Sequence, residues 1–310
     1  MSDAKSPPLP PARSAWWRRA LRDNPIVLKE LRSRMRGRRA FLVLTLYLLI
    51  LSLMLALIYW AYTSGQGGAP GATARDAGKV VLATVVAVQM FLVALIGPSF
   101  TAGAISSEKE SRTYELLRTT LLTPSHLVLG KLISALSYVA LLLITSLPLQ
   151  GIALLLGGVD LIEVVLSQLV LLVAAVVYAL VGLYASAVAR STLSASVWAY
   201  LLALGLMFAL PFLALILVPV TNSLPLASSP TAEIITAYLL ILAAGVNLPA
   251  ALVVSDIFLV QEGSLWVMPQ TVGATTIYLP SPWYLFIVIY SLLAWLLFRL
   301  CVRRVARPAD

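Results

Sequence analysis

Long uninterrupted apolar runs constrain this chain more than any other feature of its sequence. An α-helix needs about 20 predominantly apolar residues to cross the hydrocarbon core of a bilayer. Six runs reach that length, at residues 40–62, 80–105, 132–156, 161–188, 193–220 and 283–302. With 60% hydrophobic and only 11% charged residues, the chain has too much apolar surface for a soluble core. The runs do not alternate, so they predict an all-α polytopic membrane protein with six transmembrane helices rather than a β-barrel.

The distribution of basic residues predicts the orientation of these spans. Of the 22 Lys and Arg residues, eleven precede residue 40, four lie in 109–131 and four lie in 299–307. Basic residues at the borders of spans are typical of cytoplasmic faces. Both termini are therefore expected on the cytoplasmic side of the inner (plasma) membrane, which requires an even number of spans. Because the net charge of +9 is concentrated at these borders, we expect no nucleic-acid partner.

A seventh apolar stretch, at 234–254, conflicts with an even number of spans. No Lys or Arg occurs between Ser191 and Phe298, so the segment 221–282 is predicted to lie on the outer side. Within it, the stretch is expected to form a re-entrant or interfacial helical hairpin broken at Asn247-Leu248-Pro249. Non-helical backbone at membrane depth needs protein or water around it. An arrangement with eight spans is the alternative.

The residues before the first span divide into two parts. Residues 1–15 are rich in Pro and Ser and are expected to form a disordered tail. Asn24 followed by Pro25 favours a helix start. After it, apolar residues recur at helical spacing with basic residues largely off that stripe. The segment 24–39 is thus predicted to be an amphipathic helix on the inner membrane surface, with a plain basic anchor as the alternative.

The segment 106–131 is charged and separates the second apolar run from the third. Ser107 and Glu110 have the spacing of a capping box, which predicts a helix start near Glu108, and Thr123-Pro124 predicts the start of the next span. Lys131, at the inner end of that span, is expected to reach the interface. A short helix over 107–121 would expose mixed charge suited to docking a soluble partner; a solvated connecting loop is the alternative. Its exposed charged residues would be Glu108, Glu110, Arg112 and Glu115.

Several short motifs in this chain resemble those of ABC-2 type transporter permeases. The main ones, in order, are Glu108-Lys109-Glu110, Thr113, Glu115-Leu116-Leu117, Thr123-Pro124 and Leu129-Gly130-Lys131. Two weaker ones are Asn24-Pro25 with Lys29-Glu30-Leu31, and Asn247-Leu248-Pro249, where the family more often shows Asn-Pro-Phe. In the number and order of spans the resemblance covers essentially the whole chain, so 16–310 would form one transmembrane domain.

The resemblance implies a permease subunit of an ABC exporter, with an N-terminal elbow helix and a cytoplasmic coupling helix between the second and third spans. It implies two permease subunits, identical or different, and two copies of an ABC ATPase subunit. The residues that would couple this chain to the ATPase are Glu108, Glu110, Arg112, Thr113, Glu115, Leu116 and Leu117. The sequence has no G-x-x-x-x-G-K-[ST] phosphate loop, so ATP would bind to the partner and no cofactor is expected in this chain.

The sequence disfavours an enzyme. His126 is the only histidine, so an H-E-x-x-H zinc motif is impossible, and the notable residues around it do not form a Ser-His-Asp arrangement. Polar residues within the spans are candidates for a translocation path, with simple interhelical packing as the alternative. These candidates are Gln89, Gln150 and Gln168. In the outer segment, Asp256 and Glu262 are candidates for a binding or gating site, with plain solvation as the alternative.

Away from their ends, the six runs contain no charged residue, which disfavours a proton or ion relay and favours energy delivered from outside the bilayer. The predicted function is export of a hydrophobic or amphipathic substrate. The alternative is a non-transporting membrane scaffold that recruits a cytosolic protein through the same helix.

Overall fold

A computed structural model describes residues 38–64, 74–112, 123–222, 230–262, 265–272 and 275–306. Its elements are α1 (Arg38–Thr63), α2 (Ala74–Thr101), α3 (Ser106–Glu110), α4 (Pro124–Thr145), α5 (Leu147–Leu156), α6 (Leu161–Val188), α7 (Thr192–Asn222), α8 (Pro230–Val246), α9 (Leu248–Glu262), β1 (Val267–Val272), β2 (Thr275–Pro280) and α10 (Pro282–Ala306). The predicted tail 1–15 and the predicted elbow helix 24–39 lie outside the described residues.

Six helical stretches among the described residues are long and apolar enough to cross a membrane, which confirms the predicted class of polytopic helical membrane protein. Four of them are the single helices α1, α6, α7 and α10. The other two are pairs of consecutive helices, α2 followed by α3 and α4 followed by α5. Large apolar side chains cover the outside of the bundle; Phe41 is 73% exposed and Leu193 is 76% exposed. Soluble monomers rarely expose patches of this kind, whereas lipid chains offer them apolar surroundings.

Helix α6 lies at the centre of the bundle. It packs against α2, α4, α7 and α10, and the side chains of Leu171, Ala174 and Tyr178 are fully buried. Contact with α2 is close because Gly182 has no side chain: a Cβ there would lie 2.9 Å from the Pro98 Cα atom. Small residues allow transmembrane helices to approach closely in this way.

The third span is interrupted between α4 and α5. Helix α4 ends at Thr145 and α5 begins at Leu147, with Pro148 in its first turn. Proline has no backbone N–H to continue the helical hydrogen bonds of α4, so the break falls just before it. The Ser146 hydroxyl at the break donates to the Leu143 carbonyl at 2.7 Å.

A tight turn joins α5 to α6. Gly157 and Gly158 have φ values of +84° and +80°, which glycine adopts without steric cost. A Cβ on Gly158 would also collide with the backbone of Arg75 in α2. Helix α2 itself begins at Ala74, six residues before the apolar run at residue 80, so its first turns carry charged side chains.

The segment 221–282 contains two short helices and a β-hairpin. Asn247 separates α8 from α9, where a break was predicted. Strands β1 and β2 pair antiparallel, with Val267 opposite Pro280; they were not predicted. The hairpin is joined to its surroundings by hydrogen bonds from the Trp283 indole N–H to the Leu265 carbonyl at 2.7 Å and from the Tyr238 hydroxyl to the Tyr278 carbonyl at 3.1 Å.

Candidate functional site

Helix α3 follows α2 directly and is held at its start by α6. The Ser186 hydroxyl of α6 accepts hydrogen bonds from the backbone N–H groups of Ile105 and Ser106, both at 2.9 Å. Ser107 lies inside α3, and its hydroxyl donates to the Gly103 carbonyl. The predicted capping box is therefore wrong: no side chain caps Ile105, the N-cap position, and Ser186 binds the free N–H groups instead.

Two consecutive side chains of α3 bind the two helix ends on either side of the α6–α7 turn. The Lys109 ammonium donates to the carbonyls of Ala187 and Ala189, at the end of α6. The Glu110 carboxylate accepts from both the backbone N–H and the hydroxyl of Thr192, the first residue of α7, at 2.9 Å each. The helix dipole favours a cation at a carboxyl end and an anion at an amino end. We call this pair of interactions the Lys109–Glu110 clamp.

Helix α3 is also tied to α4 through an ion pair. The Lys131 ammonium donates to Glu108 Oε1 at 2.8 Å and to the Ala104 carbonyl at 2.7 Å. Lys131 is only 4% exposed and Glu108 is 24% exposed. Lys131 is therefore almost closed to solvent, contrary to the expectation that it reaches the interface. Glu108 remains partly exposed, and its predicted role in coupling to the ATPase stays a prediction. Because the Lys131 ammonium is removed from water, it requires acceptors, which Glu108 and the Ala104 carbonyl provide.

The remaining predicted coupling residues are only partly described. Arg112 is exposed and has a φ of 56°, which is uncommon for a residue other than glycine. The other four, Thr113, Glu115, Leu116 and Leu117, lie outside the described residues. The predicted helix 107–121 is not continuous: α3 ends at Glu110, and Ser111 and Arg112 form a turn. The docking role of these residues stays a prediction.

An apolar cluster joins four helices at this end of the bundle. Its buried members are Ile105, Leu127, Val128, Leu183, Ala187, Cys301 and Val305, from the start of α3, α4, α6 and α10. Arg303 and Arg304 lie in the last turn of α10, beside the same cluster. We call this the basic end. A movement of α3 would meet several packed helices here rather than a free loop.

The three glutamines form one buried cluster. Gln150 of α5 and Gln168 of α6 donate to Gln89 Oε1 of α2, at 2.9 and 3.0 Å. Gln89 in turn donates to the Ser146 hydroxyl at the break between α4 and α5. Gln89 and Gln150 are fully buried. This geometry favours the interhelical alternative, and a role in translocation stays a prediction.

A second group of charged side chains borders a cavity away from the basic end. The cavity, of about 290 Å³, lies between α2, α6 and α9 and includes Lys79, Glu163 and Asp256 in its lining. Desolvation raises the pKa of the Asp256 carboxyl, and the Lys79 ammonium acts against this shift. Asp256 was a predicted site residue; the side chain of Glu262 lies outside the described ones. Sequence reasoning missed Lys79, which directly precedes the apolar run that begins at residue 80 and carries no motif of its own.

The fold and these sites define a multi-pass helical membrane protein whose spans are cross-linked at one charged end. The family model described as ABC-2 family transporter protein matches residues 24–300. This match covers most of the chain, so the protein belongs to that family. Permeases of the family generally work with an ABC ATPase partner. A comparison with curated proteins found no match.

Proposed function

We propose that this chain is the permease subunit of an ATP-driven exporter, which moves a hydrophobic or amphipathic substrate across the inner (plasma) membrane. Membership of the family and the six apolar stretches support the permease part of the proposal. The observation that carries its mechanical part is the Lys109–Glu110 clamp, which fixes α3 to the ends of α6 and α7.

In the proposed mechanism, ATP binds to two separate ATPase subunits, and this chain holds no cofactor. Their closure displaces the coupling segment 107–121, whose first residues belong to α3. Because the clamp holds α6 and α7, and the Glu108–Lys131 pair holds α4, the displacement reaches three spans together. The spans of the permease dimer, homomeric or heteromeric, then rearrange to release the substrate outward. Both termini lie in the cytoplasm in this proposal.

Co-purification tests the proposed ATPase partnership. The tagged full-length chain is purified in mild detergent from its own host, and co-eluting proteins are identified by mass spectrometry. A stoichiometric ATPase with a phosphate loop is the expected partner. If the chain elutes alone or with a protein lacking that loop, the exporter proposal fails and the scaffold hypothesis takes its place.

Hydrogen exchange tests the clamp within that complex. In the wild type, trapping the ATPase with ATP and vanadate should change amide exchange around Thr192, where Glu110 binds the first turn of α7. Glu110→Ala should lose this change while the ATPase still co-purifies. Glu110→Gln should retain part of it, because an amide oxygen still accepts the Thr192 N–H.

The matched control is Glu233→Ala, which removes an exposed carboxylate from α8, far from the clamp. This variant should behave as the wild type. An unchanged ATP-dependent response in Glu110→Ala would contradict the proposed transmission through α3.

A further inference from the structure

The cavity between α2, α6 and α9 has the dimensions of a site for a small organic molecule. Its volume of about 290 Å³ is close to the lower end of the range for ligand pockets. On α2 its lining runs from Lys79 to Met90, about 16 Å along the helix at about 1.5 Å per residue. Most of the remaining lining is apolar and includes Val86 and Met90 of α2 and Leu252 of α9.

The charged residues of the lining are grouped at one end of the cavity. Lys79 lies in the second turn of α2, Glu163 in the first turn of α6 and Asp256 in α9. One ammonium can balance only one of the two carboxylates. Asp160, outside the lining, is close enough to Glu163 to add to the negative potential. The field at this end therefore favours a cation.

Ser255 provides a hydrogen-bonding group that the described residues leave unused. It lines the cavity, is 4% exposed, and its hydroxyl has no hydrogen-bond partner among the described residues. Ser167, which also lines the cavity, instead donates to the Val164 carbonyl at 2.9 Å. Buried hydroxyl groups without a partner are uncommon in proteins, so Ser255 indicates a ligand that completes the hydrogen bond.

We propose that this cavity binds an amphipathic cation, with an ammonium head group between Glu163, Asp256 and the Ser255 hydroxyl and an apolar body along Val86 and Met90. An ammonium group has only hydrogen-bond donors, which two carboxylates and a hydroxyl oxygen complement. An anionic head group would meet the excess negative charge. As a statement about cargo, this inference names the substrate class of the proposed exporter and rests on that function.

Photolabelling of the full-length chain tests the binding site. The chain is placed in nanodiscs of digalactosyldiacylglycerol, a lipid with no charge and no amine, so that the bilayer itself does not concentrate cations. It is labelled with a diazirine derivative of decylammonium. Peptides from α2 and α9 should carry the label. Unlabelled decylammonium should compete at a concentration about tenfold lower than decyl sulfate or decanol, the ratio expected for one charge-assisted hydrogen bond.

Variants that keep the shape of the side chains separate the charge from the fold. Glu163→Gln with Asp256→Asn should weaken the competition by decylammonium about tenfold, and Ser255→Ala should weaken it less. Glu233→Gln, which changes an exposed carboxylate outside the cavity, should leave it unchanged. Equal competition by decyl sulfate, a label confined to other helices, or a double variant with wild-type affinity and wild-type melting temperature would each overturn the proposal.

A second set of nanodiscs identifies the source of the cation. If added phosphatidylethanolamine abolishes labelling, the site holds the ammonium group of a membrane lipid. If labelling persists, the site holds a soluble amphiphile. Neither arm needs ATP or the ATPase. Failed binding thus contradicts this inference alone, and failed co-purification contradicts only the proposed exporter.

Discussion

At the scale of single residues, Lys131 is notable because it carries a charge in a nearly closed environment. Its ammonium is bound by the Glu108 carboxylate and by the Ala104 carbonyl. An ion pair in such surroundings adds little stability compared with an apolar pair of the same shape, but loss of one member removes a partner of the other charge. The pair therefore fixes where α3 meets α4 rather than contributing a large free energy.

Substitution of Lys131 tests this interpretation. Lys131→Met should lower the free energy of unfolding by about 3 kcal/mol, because Glu108 keeps its charge and loses this partner. The double variant Lys131→Met with Glu108→Gln should recover most of the loss. Thermal unfolding of the three proteins in one detergent measures both effects. A single variant as stable as the wild type would contradict a formed pair.

Asn247 joins two roles in one side chain. Its amide nitrogen donates to the carbonyls of Leu206 and Met207 in α7, and its amide oxygen accepts from the Ala250 N–H at the start of α9. The sequence predicted a break at this position. The hydrogen bonds to α7 could not be predicted, because they join residues 40 and 41 positions apart.

Two substitutions of Asn247 separate these roles. Aspartate is a good helix cap, so Asn247→Asp would be tolerated if capping were its main role. We expect the opposite: both Asn247→Asp and Asn247→Ala should lower the free energy of unfolding by about 2 kcal/mol or more, because the aspartate faces two carbonyl oxygens. Parallel thermal unfolding measures the difference. An Asp variant clearly more stable than the Ala variant would make the cap the dominant role.

At the scale of elements, hydrophobic length alone was sufficient to predict the six spans. A helix in lipid satisfies its own backbone hydrogen bonds, so a long apolar run has few other choices. Local capping was a poorer guide: Ser107 has the right spacing, yet its role is taken by Ser186, which binds the Ser106 N–H from 80 residues away. The β-hairpin had a weak signal, the β-branched and aromatic residues on either side of Gly273-Ala274, but Pro269 obscured it.

The close packing of α2 on α6 can be tested by a substitution at Gly182. Gly182→Ala should destabilise the protein by about 1–3 kcal/mol, since the added Cβ collides with Thr101 Oγ1 and lies 2.9 Å from the Pro98 Cα atom. Gly205→Ala is the matched control: nothing lies within 4 Å of its Cβ, and alanine favours a helix. In thermal unfolding, the melting temperature should be lowest for Gly182→Ala, intermediate for the wild type and highest for Gly205→Ala. The reverse order of melting temperatures would contradict the close contact between α2 and α6 at Gly182.

At the scale of the whole molecule, the number of spans depends on how α8 and α9 are placed. They contain 17 and 15 residues, about 26 and 23 Å at about 1.5 Å per residue. A bilayer core is about 30 Å thick, so each helix is short for a full crossing. Their junction at Asn247 binds α7 at Leu206 and Met207. These lengths favour the re-entrant or interfacial hairpin over eight spans, and its position in the membrane stays a prediction.

Accessibility of single cysteines tests the resulting topology. Cys301 is the one cysteine in the sequence and is fully buried, so Cys301→Ala provides the background. Glu233 on α8 and Arg303 on α10 are both exposed. A membrane-impermeant maleimide should label Glu233→Cys in intact cells, and should label Arg303→Cys only after permeabilisation, because the basic end is expected to face the cytoplasm. Labelling of Arg303→Cys in intact cells would reverse the orientation. Labelling of neither variant in intact cells would place both on the cytoplasmic side, which an even number of spans with an outer 221–282 segment does not allow.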